Sequence, residues 1–496
     1  MHGRCHGARS DRLGTPREGP WYFAKVKPGL LRSRNSPCCL PSTGPSRRGK
    51  HYATVQGLLA ERSVQRSRVP MTSVHPALQP SPVVRLLASV EGRRRRIRAH
   101  PLPNPTALVE RSREWLGGYP ADPEHEPHLV AAIAWLVGAH DATADGGISR
   151  AYSLTWHPYF QRGGWQPSYP ETTGYIIPTL YAAARRLGRA ELAARAEAAA
   201  RWEVEIQLPS GAVRGGVIGE PESPAVFNTG QVLLGWLAAF EETAQGIFAD
   251  AARRAACYLV TTLDSDGHWR RGNSQFARAD ATLYNTRTAW ALAEAGVRLE
   301  HDAFTDAAAH SLRAAAKLQA ENGWLPSWCL TDPERPLLHT LAYAIGGFLE
   351  GRRVLGDPHL VNRAERAARA LAETVRADGW MPGRYRSDWS AAVRWSCLTG
   401  QAQMANNWIR LAEVTGDREW PEPVPAVLRF LKRTQSRRSR DPGVRGGIKG
   451  AWPVGGGYGA YEVLSWATKF FADALMRHQG VKTGGLGAAS GVSVVA

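Results

Sequence analysis

Val226-Phe227-Asn228-Thr229-Gly230-Gln231 runs on without a break as Val232-Leu233-Leu234-Gly235-Trp236-Leu237-Ala238-Ala239-Phe240. A polar knot, Asn-Thr-Gly-Gln, opens an apolar helix, and variants of that opening recur along the chain. Glu171-Thr172-Thr173-Gly174-Tyr175 precedes it; Tyr284-Asn285-Thr286-Arg287, His339-Thr340, Leu398-Thr399-Gly400-Gln401 and Tyr458-Gly459-Ala460-Tyr461 follow. The openings are spaced by roughly 55 to 60 residues, a period that marks a repeat architecture.

Between the openings the chain alternates. Short connections such as Leu187-Gly188-Arg189 and Thr415-Gly416-Asp417 lead into helices rich in Ala, Arg and Glu. Long connections rich in Gly, Asp and Trp, such as Asp266-Gly267-His268-Trp269 and Asp378-Gly379-Trp380, lead back to the apolar ones. The spacing predicts six apolar helices near 174, 229, 285, 340, 400 and 460, and six more charged ones near 128, 190, 247, 302, 360 and 422. Helices apolar all round are buried, and those with one charged face are peripheral. The expectation is therefore an all-α protein, an (α/α)6 toroid of six helical hairpins in two concentric rings. The helices near 128 and 460 would pack together to close it. A short lead-in helix follows Asn104, with Pro105 at its first position. All long loops then share the face where the inner helices begin, with unpaired N–H groups and positive dipole ends. That face is where a ligand belongs.

Charge divides the 496 residues unevenly. The net charge is +18, yet residues 1–100 hold 20 Lys/Arg against 4 Asp/Glu, so the remainder is nearly neutral. The Arg/Pro/Ser/Gly-rich segment 1–103 is expected to be a disordered basic extension, 104–480 the barrel, and 481–496 a flexible tail. The run Arg93–Arg96 suits nucleic acid or acidic lipid; alternatively translation starts at Met71 and the upstream residues are not part of the protein. No nucleic-acid role is expected of the folded domain. There is no secretory leader pattern and no run of about 20 apolar residues that would span a membrane, so a cytoplasmic location is expected. Cys257, Cys329 and Cys397 are scattered and form no pair or His cluster of zinc spacing; no metal or other cofactor is expected.

Two resemblances bear on this reading. Helix ends such as Cys257-Tyr258-Leu259 to Asp266-Gly267-His268-Trp269 resemble the QW repeats of squalene- and terpene-cyclase folds. The proton-donating DxDD of class II cyclases has no counterpart; Asp264-Ser265-Asp266-Gly267 lacks the last acid. The twelve-helix count with Gly-Trp loops, over roughly 120–480, is similar to the six-hairpin glycosidase superfamily. That likeness implies hydrolase chemistry, or the lyase chemistry of related toroids on acidic polysaccharides. The closing segment from Arg445-Gly446-Gly447 to Thr468-Lys469-Phe470-Phe471 is similar to tails of uncharacterised bacterial proteins of polysaccharide-synthesis loci.

Hydrolysis needs a carboxyl pair, and Glu171, Asp280, Asp388 and Glu462 stand at or before inner-helix starts. An acid there also serves as a cap or dipole partner. Elimination or epimerisation at a uronic acid needs its carboxylate neutralised and the adjacent proton removed. Asn228, Gln231, Asn285, Arg287 and Gln401 suit the first task, and His339, Tyr284 and Tyr461 the second. Asn228 and Asn285 also suit plain N-caps, and His339 a structural hydrogen bond. Arg445, Lys449, Trp452 and Tyr458 belong to a last loop placed to fold over the pore. Trp165, Trp269, Trp324, Trp380, Trp395 and Trp452 suit stacking on sugars, or wedging loops against helices.

The sequence thus points to a carbohydrate-active protein that takes an acidic glycan, or another small molecule, in its pore. Lyase or epimerase chemistry leads; glycoside hydrolysis, a terpenoid-cyclase-like activity and passive glycan binding are the alternatives. A chain beginning at Met71 is expected to fold and to keep the activity of the whole chain. Thermal melting by circular dichroism checks it, and loss of the cooperative transition would make the extension part of the fold.

Overall fold

The computed structural model describes Arg94, Ile97 and residues 100–272, 283–329, 332–417, 420 and 422–482. Most of the basic extension, Asp280 and residues 483–496 lie outside the described residues. Helix α1 (Pro105–Trp115) leads in, and α2 (Glu126–Asp141) begins the barrel. The inner ring is α3 (Pro170–Leu187), α5 (Val226–Thr243), α7 (Thr286–Arg298), α9 (Leu338–Leu355), α11 (Leu398–Thr415) and α13 (Ser465–Lys482). The outer ring is α2 with α4 (Ala190–Glu205), α6 (Gly246–Thr262), α8 (Asp302–Lys317), α10 (Pro358–Ala372) and α12 (Val424–Thr434). Each inner helix packs on the next, α13 packs on α3, and α2 packs on α13, so the two ends of the barrel close the ring.

Local chemistry explains the alternation. Inner helix α5 is buried from Val226 to Ala239, on every face. Outer α10 buries only the stripe Leu360, Ala364, Ala367, Ala368 and Leu371. The short turns close on left-handed residues, Gly188 after α3 and Gly356 after α9, whose N–H groups return to the last helical turn.

Three threonines near inner-helix starts tether the long loops. Thr173 Oγ1 donates to the Tyr169 carbonyl and accepts the Ile148 N–H at 2.9 Å. Thr229 does the same between Ala225 and Val213, and Thr468 between Leu464 and Ile448. One hydroxyl thus satisfies an incoming loop N–H that burial would otherwise orphan. Several tryptophans work in the same structural way. Trp236 of α5 and Trp408 of α11 donate to carbonyls of the outer helices, Ala200 and Ala368, and buried Trp269 donates to Leu259.

The fold departs from an all-helical reading in two small sheets. The segment read as a loop over 145–167 carries strands β1 (Ala151–His157) and β2 (Arg162–Trp165). The helix expected near 460 starts at Ser465, behind strand β6 (Glu462–Leu464). With β4 (Ile448–Lys449) these form an antiparallel sheet in the order β2-β1-β6-β4, with Tyr152 opposite Val463. A smaller ladder joins β3 (Ser396–Cys397) to β5 (Ala451–Trp452). The strands are short, and the pairing of β1 with β6 joins the first and last loops of the barrel, so local periodicity carries no sign of that sheet.

Lys449 does not fold over the pore. It is buried and holds Glu110 of α1 at 2.6 Å, with Glu114 at 3.8 Å. Glu114 also accepts the Val454 N–H, and burial nonetheless lifts its pKa to about 7, against the opposing charge of Lys449. Lys449→Met leaves two buried carboxyls without a cation and is expected to destabilise the chain by about 3–5 kcal/mol. Adding Glu110→Gln should restore part of that in chemical denaturation. Equal stability of Lys449→Met and the unaltered chain would refute the ion pair as the tie between α1 and the last loop.

Candidate functional site

The inner helices begin on the loop side, and their first turns converge at the mouth of the bore. Glu171 lies in the first turn of α3, Phe227 and Asn228 in that of α5, Arg287 in that of α7 and His339 in that of α9. Tyr284 and Asn285 come from the short 3-10 turn Leu283–Asn285 that precedes α7. Helices α3 and α9 are first and fourth in a ring of six, so Glu171 and His339 belong to opposite walls.

Rings pave the space between. Phe227 lies 5.1 Å from Tyr284 and 5.0 Å from Tyr343, and Phe470 lies 5.6 Å from Tyr175 and 6.0 Å from Tyr343, centre to centre. His339 stands 4.4 Å from Tyr343 and 5.6 Å from Tyr458, whose hydroxyl accepts the Trp466 indole N–H at 2.8 Å. The Arg287 guanidinium is enclosed by Trp290, Tyr343 and Phe470, and its Nε donates to Gln231 at 2.6 Å. Below this floor a cavity of about 30 Å³, bordered by Gly346, Glu350, Asn406 and Arg410, has room for water and none for a sugar.

Electrostatics distinguish the two walls. Glu171 accepts the Tyr169 hydroxyl at 2.5 Å. Burial lifts its pKa to about 7, against the pull of that hydrogen bond and of the Arg150 and Arg287 charges. Burial likewise lowers His339 to about 4, its hydrogen bond to Gln403 pulling the other way, so it is a neutral imidazole at pH 7. His339 Nδ1 meets the Gln403 amide oxygen at 2.7 Å; that nitrogen then carries the hydrogen, and Nε2 is left as an acceptor. Tyr284 and Tyr343 are pushed upward, chiefly by burial, and stay protonated.

The other candidates lie apart from these groups. Glu462 is buried in β6, held by Arg150 at 2.9 Å and by the Gln166 amide, with His157 at 3.5 Å. Asp388 is exposed and accepts the Ser390 N–H within a turn. Gln401 holds the Gly379 carbonyl, Arg445 is exposed, half-buried Trp395 precedes β3, and half-buried Trp452 lies opposite Ser396 in the β3–β5 ladder. Tyr461 sits at a positive φ of 58° in the turn before β6. Asn228 and Asn285 do not cap by side chain: Asn228 Nδ2 donates to the Arg214 carbonyl, and Asn285 Nδ2 is buried with no partner. Arg150, Tyr169, Tyr343 and Gln403 escaped the sequence reading. Tyr343 and Gln403 lie one helical turn below recognised openings, where the i+4 period can find them; Arg150 belongs to the segment read as a loop, and Tyr169 lies between that segment and the Glu171 opening.

Among the described residues no group of three His, Cys, Asp or Glu is placed to hold a metal ion, and no helix is long and apolar enough to cross a membrane. No protein-family model matches the chain, and no curated protein does. Solved structures match over the whole barrel. One is an unsaturated glucuronyl hydrolase specific for heparin, 16% identical over 73% of this chain and 99% of its own, with a TM-score of 0.57. The fold is the six-hairpin (α/α)6 toroid of such enzymes. The unsaturated glucuronyl hydrolase of Streptococcus agalactiae is 12% identical over 74% of this chain and 94% of its own, with a TM-score of 0.55. Cellobiose 2-epimerase from Bacillus thermoamylovorans B4167 is 12% identical over 75% and 99%, also with 0.55.

The raised pKa of Glu171 makes stability depend on pH. Glu171→Gln and the unaltered chain should differ by a constant amount below pH 4.5. As pH rises from 4.5 to about 7 the unaltered chain should lose stability relative to the variant, and the gap should then level off. Urea titrations across that range check it; a gap independent of pH would give Glu171 an ordinary carboxyl environment.

Proposed function

We propose that this chain is a carbohydrate-active enzyme that takes a uronic-acid-bearing oligosaccharide at the loop-side mouth and moves the proton next to the sugar carboxylate, as a lyase or epimerase. The observation that carries the reading is the pair Glu171 and His339 on opposite walls. A carboxyl group with a pKa near 7 both gives and takes a proton at neutral pH, and the neutral imidazole across the bore is its partner. Elimination takes the C5 proton on one group while the C4–O bond breaks and the other group protonates the leaving oxygen. Epimerisation returns a proton to the opposite face of C5. The ring of half-buried Tyr458 suits the apolar face of a sugar, and the charged groups around it disfavour an apolar terpenoid substrate.

A second reading is hydrolysis of an unsaturated uronyl residue, in which Glu171 acts as acid toward the double bond and water adds. It is favoured because Glu171 stands free of ion pairs while Glu462 is locked to Arg150, so a two-carboxylate arrangement is not assembled from the described residues. The names of the similar structures also favour it. One assay separates these outcomes. Saturated uronate oligosaccharides incubated in D2O should either gain the ultraviolet absorbance of an unsaturated uronate or gain deuterium at C5. Loss of that absorbance from an unsaturated disaccharide would select the hydrolytic reading. Glu171→Gln should lower any of these rates by about 100-fold or more, and full activity of that variant would refute the role of Glu171.

A further inference from the structure

Arg150 enters the mouth from the sheet rather than from a helix. Its backbone N–H donates to the Pro167 carbonyl, and its own carbonyl accepts from Ser465, which fixes the residue between the first and last loops. Its guanidinium lies over Trp466 at 4.9 Å and over Phe160 at 5.3 Å. Both of its side-chain hydrogen bonds run through Nη1, to Gln166 at 2.6 Å and to Glu462 at 2.9 Å. Nε–H and the Nη2 hydrogens are left without a protein acceptor among the described residues, and the side chain is 19% exposed. Its charge reaches Glu171, Tyr169 and Tyr458.

We propose that Arg150 is the carboxylate-binding residue of this mouth, offering the Nε/Nη2 edge of its guanidinium as a fork to the acidic group of a uronyl sugar. An arginine clamped by rings and by one ion pair has lost its rotational freedom before a ligand arrives, and the open edge matches the two oxygens of a carboxylate. Arg287, the arginine that sequence position favours, is only 5% exposed. With its three rings and Gln231 around it, it tunes the floor rather than grips a ligand. The Glu462 charge holds Arg150 in place and is already satisfied by Nη1 and by Gln166. A bound carboxylate beside Arg150 also opposes ionisation of Glu171 and keeps it an acid. The inference rests on the reading of the mouth as a uronate site.

The test is calorimetric binding of cellobiouronate and of cellobiose to the full chain. Arg150→Gln should weaken cellobiouronate about tenfold or more while leaving cellobiose unchanged, and Arg150→Lys should lose part of the preference. Because Arg150→Gln strips Glu462 of its cation, Arg150→Gln with Glu462→Gln serves as a second variant, and the same charge-selective loss is expected in it. Equal weakening of both sugars, no change in either, or failure of the unaltered chain to bind cellobiouronate would overturn the proposal. Glu171→Gln keeps the two claims apart. Selective loss in the Arg150 variants together with full turnover by Glu171→Gln would sink the acid–base reading and leave the anchor standing.

Discussion

The barrel depends on inner helices that touch backbone to backbone. A Cβ on Gly235 would lie 2.4 Å from the Gly174 carbonyl oxygen, one on Gly347 2.4 Å from the Thr286 carbonyl carbon, and one on Gly400 2.7 Å from the His339 nitrogen. Such distances leave no room for a side chain, so the neighbouring helix would have to move out. Moving one helix in a closed ring of six moves the rest, and the first turns that meet at the mouth would separate. Two of the Thr-Gly pairs, Thr173-Gly174 and Thr229-Gly230, hold the site from two directions, since a Cβ on Gly174 would also lie 2.5 Å from the Val232 Cα and one on Gly230 3.0 Å from the Thr288 Cα. The glycine sets the width of the ring, and the threonine hydroxyl secures the loop arriving above it.

Within that narrow ring the same side chain takes opposite electrostatic characters at the two ends. Glu350, toward the far end of α9, meets Arg410 at 2.9 Å and Arg353 at 2.8 Å. Although burial alone would raise its pKa, those guanidinium groups bring it to about 2. Glu171 at the mouth has a phenol as its hydrogen-bond partner and two arginines that act from beyond that bond, so burial prevails and its pKa rises to about 7. The far end is thus built of fixed charges that do not titrate near neutrality, and the mouth of a group that does. Perturbation of this kind, in a concave and ring-lined place, is the usual physical signature of an acid–base site.

How much of this the sequence shows follows from the range of each signal. The hairpin count, the two rings and the closure through α2 and α13 are visible because apolar period and loop chemistry are local. The placement of His339 and Glu171 in the first turns of inner helices is legible because the apolar period fixes where each helix begins. Lys449 was misread as part of a lid because its partners Glu110 and Glu114 come from the other end of the barrel. Arg150 was missed for the same reason: it is positioned by Ser465, Gln166 and Glu462 through a sheet that pairs distant segments. Long-range pairing gave the mouth its cation, and no periodicity announces it.

The central claim is that burial holds Glu171 near a pKa of 7, which carbon-13 NMR of its side-chain carboxyl can read directly, with Glu171→Gln to assign the signal. The account predicts a midpoint near 7 in the free protein and a higher one with cellobiouronate bound. A midpoint near 4.5 that does not respond to the uronate would contradict it.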